Sequence, residues 1–265
     1  DLQPIFGAEG GSLKDTLAAE AGGKAEDILA TDLVLCITEK AQRVGLQGEY
    51  FMSGRIDDLE CAYATLYGFL QGRGEEAGRG DIWVMFDNEE VGSSSRQGAQ
   101  GSLMSDVLAR IEESLGVTKE QSIRTNCLLL SADNGHAIHP NHPEKSDQKL
   151  PVNMGGGVIL KYNARQTYTT SGLTGAAFTA ICEKAGVPVQ TFANRADEPG
   201  GSTLGNLLGR QILMPMVDIG VGQLAMHSAM ETASCKDAEY LANACAAYYN
   251  TPIFQPEDGQ WKLGL

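Results

Sequence analysis

Two adjacent glutamates, Glu89 and Glu90, close an apolar run and are followed by Gly92, Ser93, Ser94 and Ser95. Asp57, Asp133 and His227 also follow apolar segments. Carboxylates gathered at one place repel each other unless a cation neutralises them. Zinc accepts Asp, Glu and His as ligands, and two such ions bridged by one carboxylate make a hydrolytic centre. A glutamate beside a ligating glutamate is then placed to take the proton of the attacking water. Neighbouring side chains on an extended strand point to opposite faces. Glu89 and Glu90 therefore share a site only in a loop, which the glycine and serines permit. Each feature also has a bland reading. A Glu-Glu pair is most often solvated surface charge, and an aspartate before a helix is most often an N-cap. His136, His139 and His142 resemble a metal loop, but Pro140 and Pro143 break any helix that would align them. Arg55, like Lys161, is more often a surface cation than a substrate anchor. Spacing alone is thin support for a metallohydrolase.

The elements that must position these groups are well marked. Apolar runs predict strands over 32–39, 48–54, 81–87, 126–133, 156–164, 187–193 and 215–221. Helical spacing predicts helices over 57–72, 102–116, 173–186, 202–211 and 237–250, with a short one near 10–23. Strands alternating with helices imply an α/β fold with a largely parallel or mixed central sheet flanked by helices. Ligands in such sheets bind beyond the carboxyl ends of strands, where Asp57, Glu89, Glu90, Asp133 and His227 fall. The chain has 20 Lys and Arg against 34 Asp and Glu, a net charge of −14. That balance argues against nucleic acid or an anionic membrane as a partner. The six cysteines form no CxxC pair. They read as buried, reduced thiols, so a cytoplasmic location is expected. The chain starts Asp1-Leu2-Gln3, with neither Met nor a targeting pattern. A processed N-terminus or a longer parent polypeptide is expected.

The segment FDNEEVGSSSRQGAQGS at 86–102 resembles the metal-and-base motif of the aspartyl aminopeptidase family, a group of dizinc exopeptidases. SGRIDDL at 53–59, SADNGHAIHPNHPEK at 131–145 and QLAMHSAMET at 223–232 resemble its bridging-aspartate, second-aspartate and C-terminal histidine segments. LKYNARQTYTT at 160–170 and DEPGGSTLG at 197–205 match in the same order. The resemblance implies that Asp57 bridges two zinc ions, that Glu90 and His227 complete one site, and that Asp133 serves the other. It implies Glu89 as general base and a cis peptide after Asp57. The implied reaction is release of an N-terminal Asp or Glu from a peptide. Lys161 is the first candidate for the cation that such a substrate needs, Arg165 the second, and His136 a further substrate contact.

The departures from the family matter equally. The family carries another metal-ligating histidine near its N-terminus, and an inserted assembly domain after it. This chain has four histidines, none upstream of Asp57. It is therefore expected to be the C-terminal part of such an enzyme. Residues 1–31 would be a linker or the tail of the inserted domain, and 32–265 the C-terminal portion of the catalytic domain. Zero or one tightly held metal is expected here, against two in the complete enzyme, with Mn or Co as alternatives to Zn. The chain alone is expected to have little activity, and the full-length form to be a homo-oligomer. A broader-specificity aminopeptidase and a non-catalytic metal-binding or assembly fragment are the alternatives.

Overall fold

The computed structural model describes residues 4–7, 9–72, 80–118, 127–198, 200–257 and 259–265. The chain divides into two units, Asp1–Thr38 and Glu39–Leu265. In the first, helix α1 (Leu13–Ala21) starts at Ser12, whose hydroxyl accepts the Asp15 N–H, and stops at Gly22 with φ 69°. This is the short helix expected between glycines.

The second unit is built on two sheets. One has the order β3 (Leu129–Ala132), β7 (Met216–Gly220), β5 (Val158–Lys161), β6 (Val189–Phe192). β3 and β7 are parallel, as are β5 and β6, while β7 and β5 are antiparallel. The sheet is thus mixed. The other sheet has the order β1 (Gln42–Val44), β2 (Tyr50–Ser53), β9 (Glu231–Ser234), β8 (Gly222–Leu224), β4 (Gly135–His136). β3 leads into β4 and β7 into β8 with almost no intervening chain, so one parallel pair feeds both sheets. The Asp133 N–H donates to Ile219 O and the Gly135 N–H to Val221 O, which carries the ladder across the junction. Asp133 lies at that junction.

Helices cover both faces of the four-stranded sheet. On one face Phe178 and Cys182 of α4 (Gly172–Lys184) and Leu241 and Cys245 of α6 (Cys235–Tyr249) pack on Val158, Leu160, Val217 and Ile219. Cys61 and Ala64 of α2 (Ile56–Gln71) join the same cluster. On the other face Met104 and Leu108 of α3 (Leu103–Ser114) and Leu208 of α5 (Leu204–Leu208) pack against Met216, with Leu129 alongside. Met216 and Val217 are neighbours that point to opposite faces, the two-residue period of a strand covered on both sides. A two-stranded ribbon, β10 (Ile253–Glu257) and β11 (Gln260–Leu263), ends the chain.

Several expectations are corrected. The apolar runs 32–39 and 81–87 are irregular, not strands, and every residue of 32–39 is exposed. An apolar strand needs ladder partners on its flanks, and neither run has one among the described residues. The helix expected over 202–211 is only five residues long. Cys61, Cys182 and Cys245 are buried free thiols, but Cys36 is exposed. Among the described residues no helix is long and apolar enough to cross a membrane.

The packing of α2 on α6 sets the position of the Asp57 end of α2, and Gly68 makes it possible. A Cβ at Gly68 would lie 2.5 Å from Cys245 Cβ and 2.6 Å from the Ala242 carbonyl oxygen. Gly68→Ala gains about 1 kcal/mol in helix propensity, but overpacking costs about 1–3 kcal/mol. The clash is with a Cβ and a backbone oxygen, neither of which can swing aside, and should win, so urea denaturation should show net destabilisation. A more stable Gly68→Ala protein would contradict this packing.

Candidate metal centre

The residues singled out for chemistry arrive from four separate segments of the second unit. Asp57 and Asp58 open α2 with non-helical backbone, and the peptide between them is cis, as the resemblance implied. Glu89 and Glu90 sit in a tight turn. The Gly92 N–H donates to Glu89 O at 2.8 Å and the Ser93 N–H to Asn88 O at 2.9 Å, with Gly92 at φ 97°. This is the loop that lets both glutamates face one site. Asp133 comes from the β3–β4 junction, and His227 from the loop between β8 and β9. Arg55, Asn88 and His227 all have positive φ, at 61°, 59° and 65°. Such backbone is unfavourable for a side-chain-bearing residue and clusters at functional sites. Asp57, Glu89, Glu90, Asp133 and His227 all line one cavity of about 560 Å³.

The distances define two donor sets. His227 Nε2 is 3.1 Å from Asp57 Oδ2 and 3.1 Å from Glu90 Oε2. One ligand atom each of Asp57, Glu90 and His227 lies within 4.8 Å of the other two. The same holds for Asp57, Asp58 and Asp133. Asp57 belongs to both sets, as a bridging carboxylate must. Asp58 was missed as a donor by sequence reasoning, because a second aspartate before a helix reads as a cap.

Electrostatically the cluster is incomplete without a cation. Burial, then the charges of Asp133 and Glu90, push the Asp57 carboxyl up to about 8. Burial, then Asp133, raises Asp58 well above the ordinary carboxylate range. Burial, then Asp133 and Glu90, raises Glu89 to about 7. The buried Oδ1 atoms of Asp57 and Asp58 have no hydrogen-bond partner among the described residues. Buried carboxylate oxygens without donors are costly, and a divalent ion is the partner their chemistry suits. Two carboxylates and an imidazole with room for water fit the three-ligand zinc arrangement of hydrolases. The all-carboxylate set lacks a nitrogen donor and suits zinc less well.

Lys161 is also in the cavity wall, but its ammonium is already engaged. Its Nζ donates to Asp133 Oδ2 at 2.9 Å and to Asn134 O at 2.7 Å. It lies over the Tyr168 ring, 5.6 Å from the centroid. Burial opposes its charge, yet Asp133, ahead of Tyr168, leaves its pKa above the ordinary lysine value. His136 lines the same cavity. Desolvation, then repulsion from His227 and Lys161, lowers its pKa. Arg165 is exposed and does not line the cavity, so its proximity in sequence to Lys161 does not bring it to the site. Two other cations do reach the wall. Arg195 is paired with Asp197 at 2.7 Å, and Lys145 with Glu198 at 2.9 Å. No sequence signal marked either, since both lie in polar loops.

Residues 8–249 match the family model described as aminopeptidase I zinc metalloprotease (M18). A probable M18 family aminopeptidase 2 of Clostridium novyi is 39% identical over 240 residues, covering 90% of this chain and 55% of that protein. Its counterpart in Mycobacterium leprae is 35% identical over 250 residues, 94% of this chain and 58% of that protein. The crystal structure of aminopeptidase I from Clostridium acetobutylicum aligns with TM-score 0.75 at 26% identity, over 89% of this chain and 52% of that one. The dodecameric aminopeptidase 1 of Saccharomyces cerevisiae aligns with TM-score 0.75 at 25% identity, over 89% and 54%. The chain thus spans about half the length of the relatives it matches. These matches agree with the resemblance read from the motifs.

The engagement of Lys161 with Asp133 has a measurable consequence. The lysine side chain is 2% exposed and the aspartate 16%. Removing one partner of such a buried pair costs about 3–5 kcal/mol, because the other charge is stranded. Lys161→Met should therefore lower the free energy of unfolding by about that amount in denaturant titrations. A loss below about 1 kcal/mol, the size expected of a surface pair, would show that Lys161 does not hold Asp133.

Proposed function

The chain belongs to the M18 family of zinc metalloproteases, and we propose that it carries the C-terminal portion of a catalytic domain that releases acidic residues from peptide N-termini. The observation that carries this reading is the convergence of Asp57, Glu90 and His227 on one point, with Glu89 on the same cavity wall. Glu90 and His227 are assigned to one metal, Asp133 to a second, and Asp57 to both. Zinc is the proposed ion, with Mn or Co chemically able to replace it. When bound, it would polarise water and the scissile carbonyl.

Glu89 is the proposed general base. Its neighbour Glu90 is the proposed metal ligand, and its own carboxylate lines the same cavity without being assigned to the ion. That places it well to accept the proton of water and return it to the leaving amine. Lys161 is the proposed counter-charge for an acidic side chain, and His136 a second contact. The commitment of Lys161 to Asp133 favours one alternative, an aminopeptidase of broader specificity. Arg165, outside the cavity lining, is the weaker candidate.

The remaining assignments follow from how much of the relatives the chain spans. Residues 1–31 are proposed as the tail of an assembly domain, and 32–265 as the C-terminal catalytic portion. The exposed apolar run at 32–39 and the unladdered run at 81–87 are what such a portion presents when further strands belong beside it. A homo-oligomeric, cytoplasmic complete enzyme is proposed, the location resting on the free cysteines.

Glu89→Gln tests the reaction. In the complete enzyme this variant should keep its metal and lose about 10²–10⁴-fold in turnover of an Asp-peptide, because an amide cannot accept the proton. Wild-type turnover would remove Glu89 from its role.

A further inference from the structure

His227 and Glu90 form a donor set, yet neither is held by burial. Their side chains are 63% and 51% exposed. A ring so open to solvent is not held by packing, so where its backbone is held sets which rotamers can reach the partner carboxylates. Two loops of different origin must also meet, one leading into α2 and one joining β8 to β9. Glu231 connects them. It is the first residue of β9, pairs with Ser53 of β2, and is 2% exposed. Its Oε2 accepts the Asp57 backbone N–H at 3.0 Å, and its Oε1 accepts the His227 backbone N–H at 2.7 Å. The two amides therefore share one carboxylate across 174 and 4 residues of sequence. Hydrogen bonds from amides to an ionised carboxylate are among the stronger ones. A buried carboxylate that merely staples a loop would bind any amides within reach. This one accepts, one on each oxygen, the amides of two residues whose side chains belong to the donor set.

We propose that Glu231 is a positioning residue that presets the Asp57–Glu90–His227 donor set before a metal arrives, by accepting the backbone N–H groups of Asp57 and His227. The proposal rests on the reading of those three residues as metal ligands. Glutamine at this position keeps the shape but offers one acceptor oxygen, and its NH₂ would face the other N–H. One loop would be released while the fold around β9 remains.

The test uses zinc and cobalt as probes, with chelator competition on metal-stripped protein. Glu231→Gln should bind zinc about 10–100-fold more weakly, as loss of a partner behind the ligands typically does. Its cobalt complex should show a shifted visible spectrum. Affinity within about twofold of wild type, with an unchanged cobalt spectrum, would overturn the proposal. If the variant fails to fold, the metal-free wild-type protein decides. Its Asp57 and His227 amides should exchange with solvent at least about 100-fold more slowly than those of an unstructured chain. Exchange at the unstructured rate would overturn it. Both readouts are indifferent to peptide hydrolysis, so failure here and failure of the peptidase reading are told apart.

Discussion

Mutual repulsion among carboxylates is the constraint on which this structure turns. Asp57, Glu89, Glu90 and Asp133 line one cavity, with Asp58 beside Asp57 and Asp133, and burial together with the neighbouring carboxylates raises the pKa values of Asp57, Asp58 and Glu89. Among the described residues Lys161 is the cation paired with this cluster, and its ion pair is with Asp133. Asp57 has one oxygen 3.1 Å from the His227 ring and the other without a donor among the described residues. A cation between these groups would turn the least favourable feature of the fold into its most useful one. The same ion that stabilises the cluster would acidify a water beside Glu89.

The architecture makes this gathering possible. The β3–β7 pair continues into β4–β8 through a junction so close that a Cβ on Gly220 would fall 1.8 Å from the Asp133 carbonyl oxygen. Only glycine fits there, and it brings Asp133 and Asn134 to the mouth of the cavity. From the other sheet, β2 and β9 deliver Asp57 and His227 to the same place. Asp57, Asp133 and His227 thus sit where two sheets meet, beside hydrogen-bonded strands, while Glu89 and Glu90 come from a turn.

Much of this was legible in the sequence. Strands buried on both faces, such as 158–161 and 216–220, announce themselves as apolar runs, and α2, α4 and α6 by their helical spacing. The motifs around Asp57, Glu89, Asp133 and His227 marked residues that the fold brings to one cavity. The runs at 32–39 and 81–87 misled because apolarity reports a wish for burial, not the presence of a partner strand. Glu231 escaped notice for a different reason. Its importance lies in two backbone amides, and a backbone contact leaves no mark on residue type. Arg165 illustrates the converse, since only three residues separate it from Lys161 yet carry it out onto an exposed turn.

The central claim is that Asp57, Glu90 and His227 hold a metal. It is tested most directly by elemental analysis of the mass-verified chain, together with anomalous diffraction at the zinc edge. About one zinc per chain is expected, since a site with an imidazole and two carboxylates suits that ion and an all-carboxylate site suits it less. The anomalous peak should lie between His227 Nε2 and the Asp57 and Glu90 carboxylates. Zinc held instead at His136 or His139, or no zinc retained even when it is supplied in excess, would contradict the account.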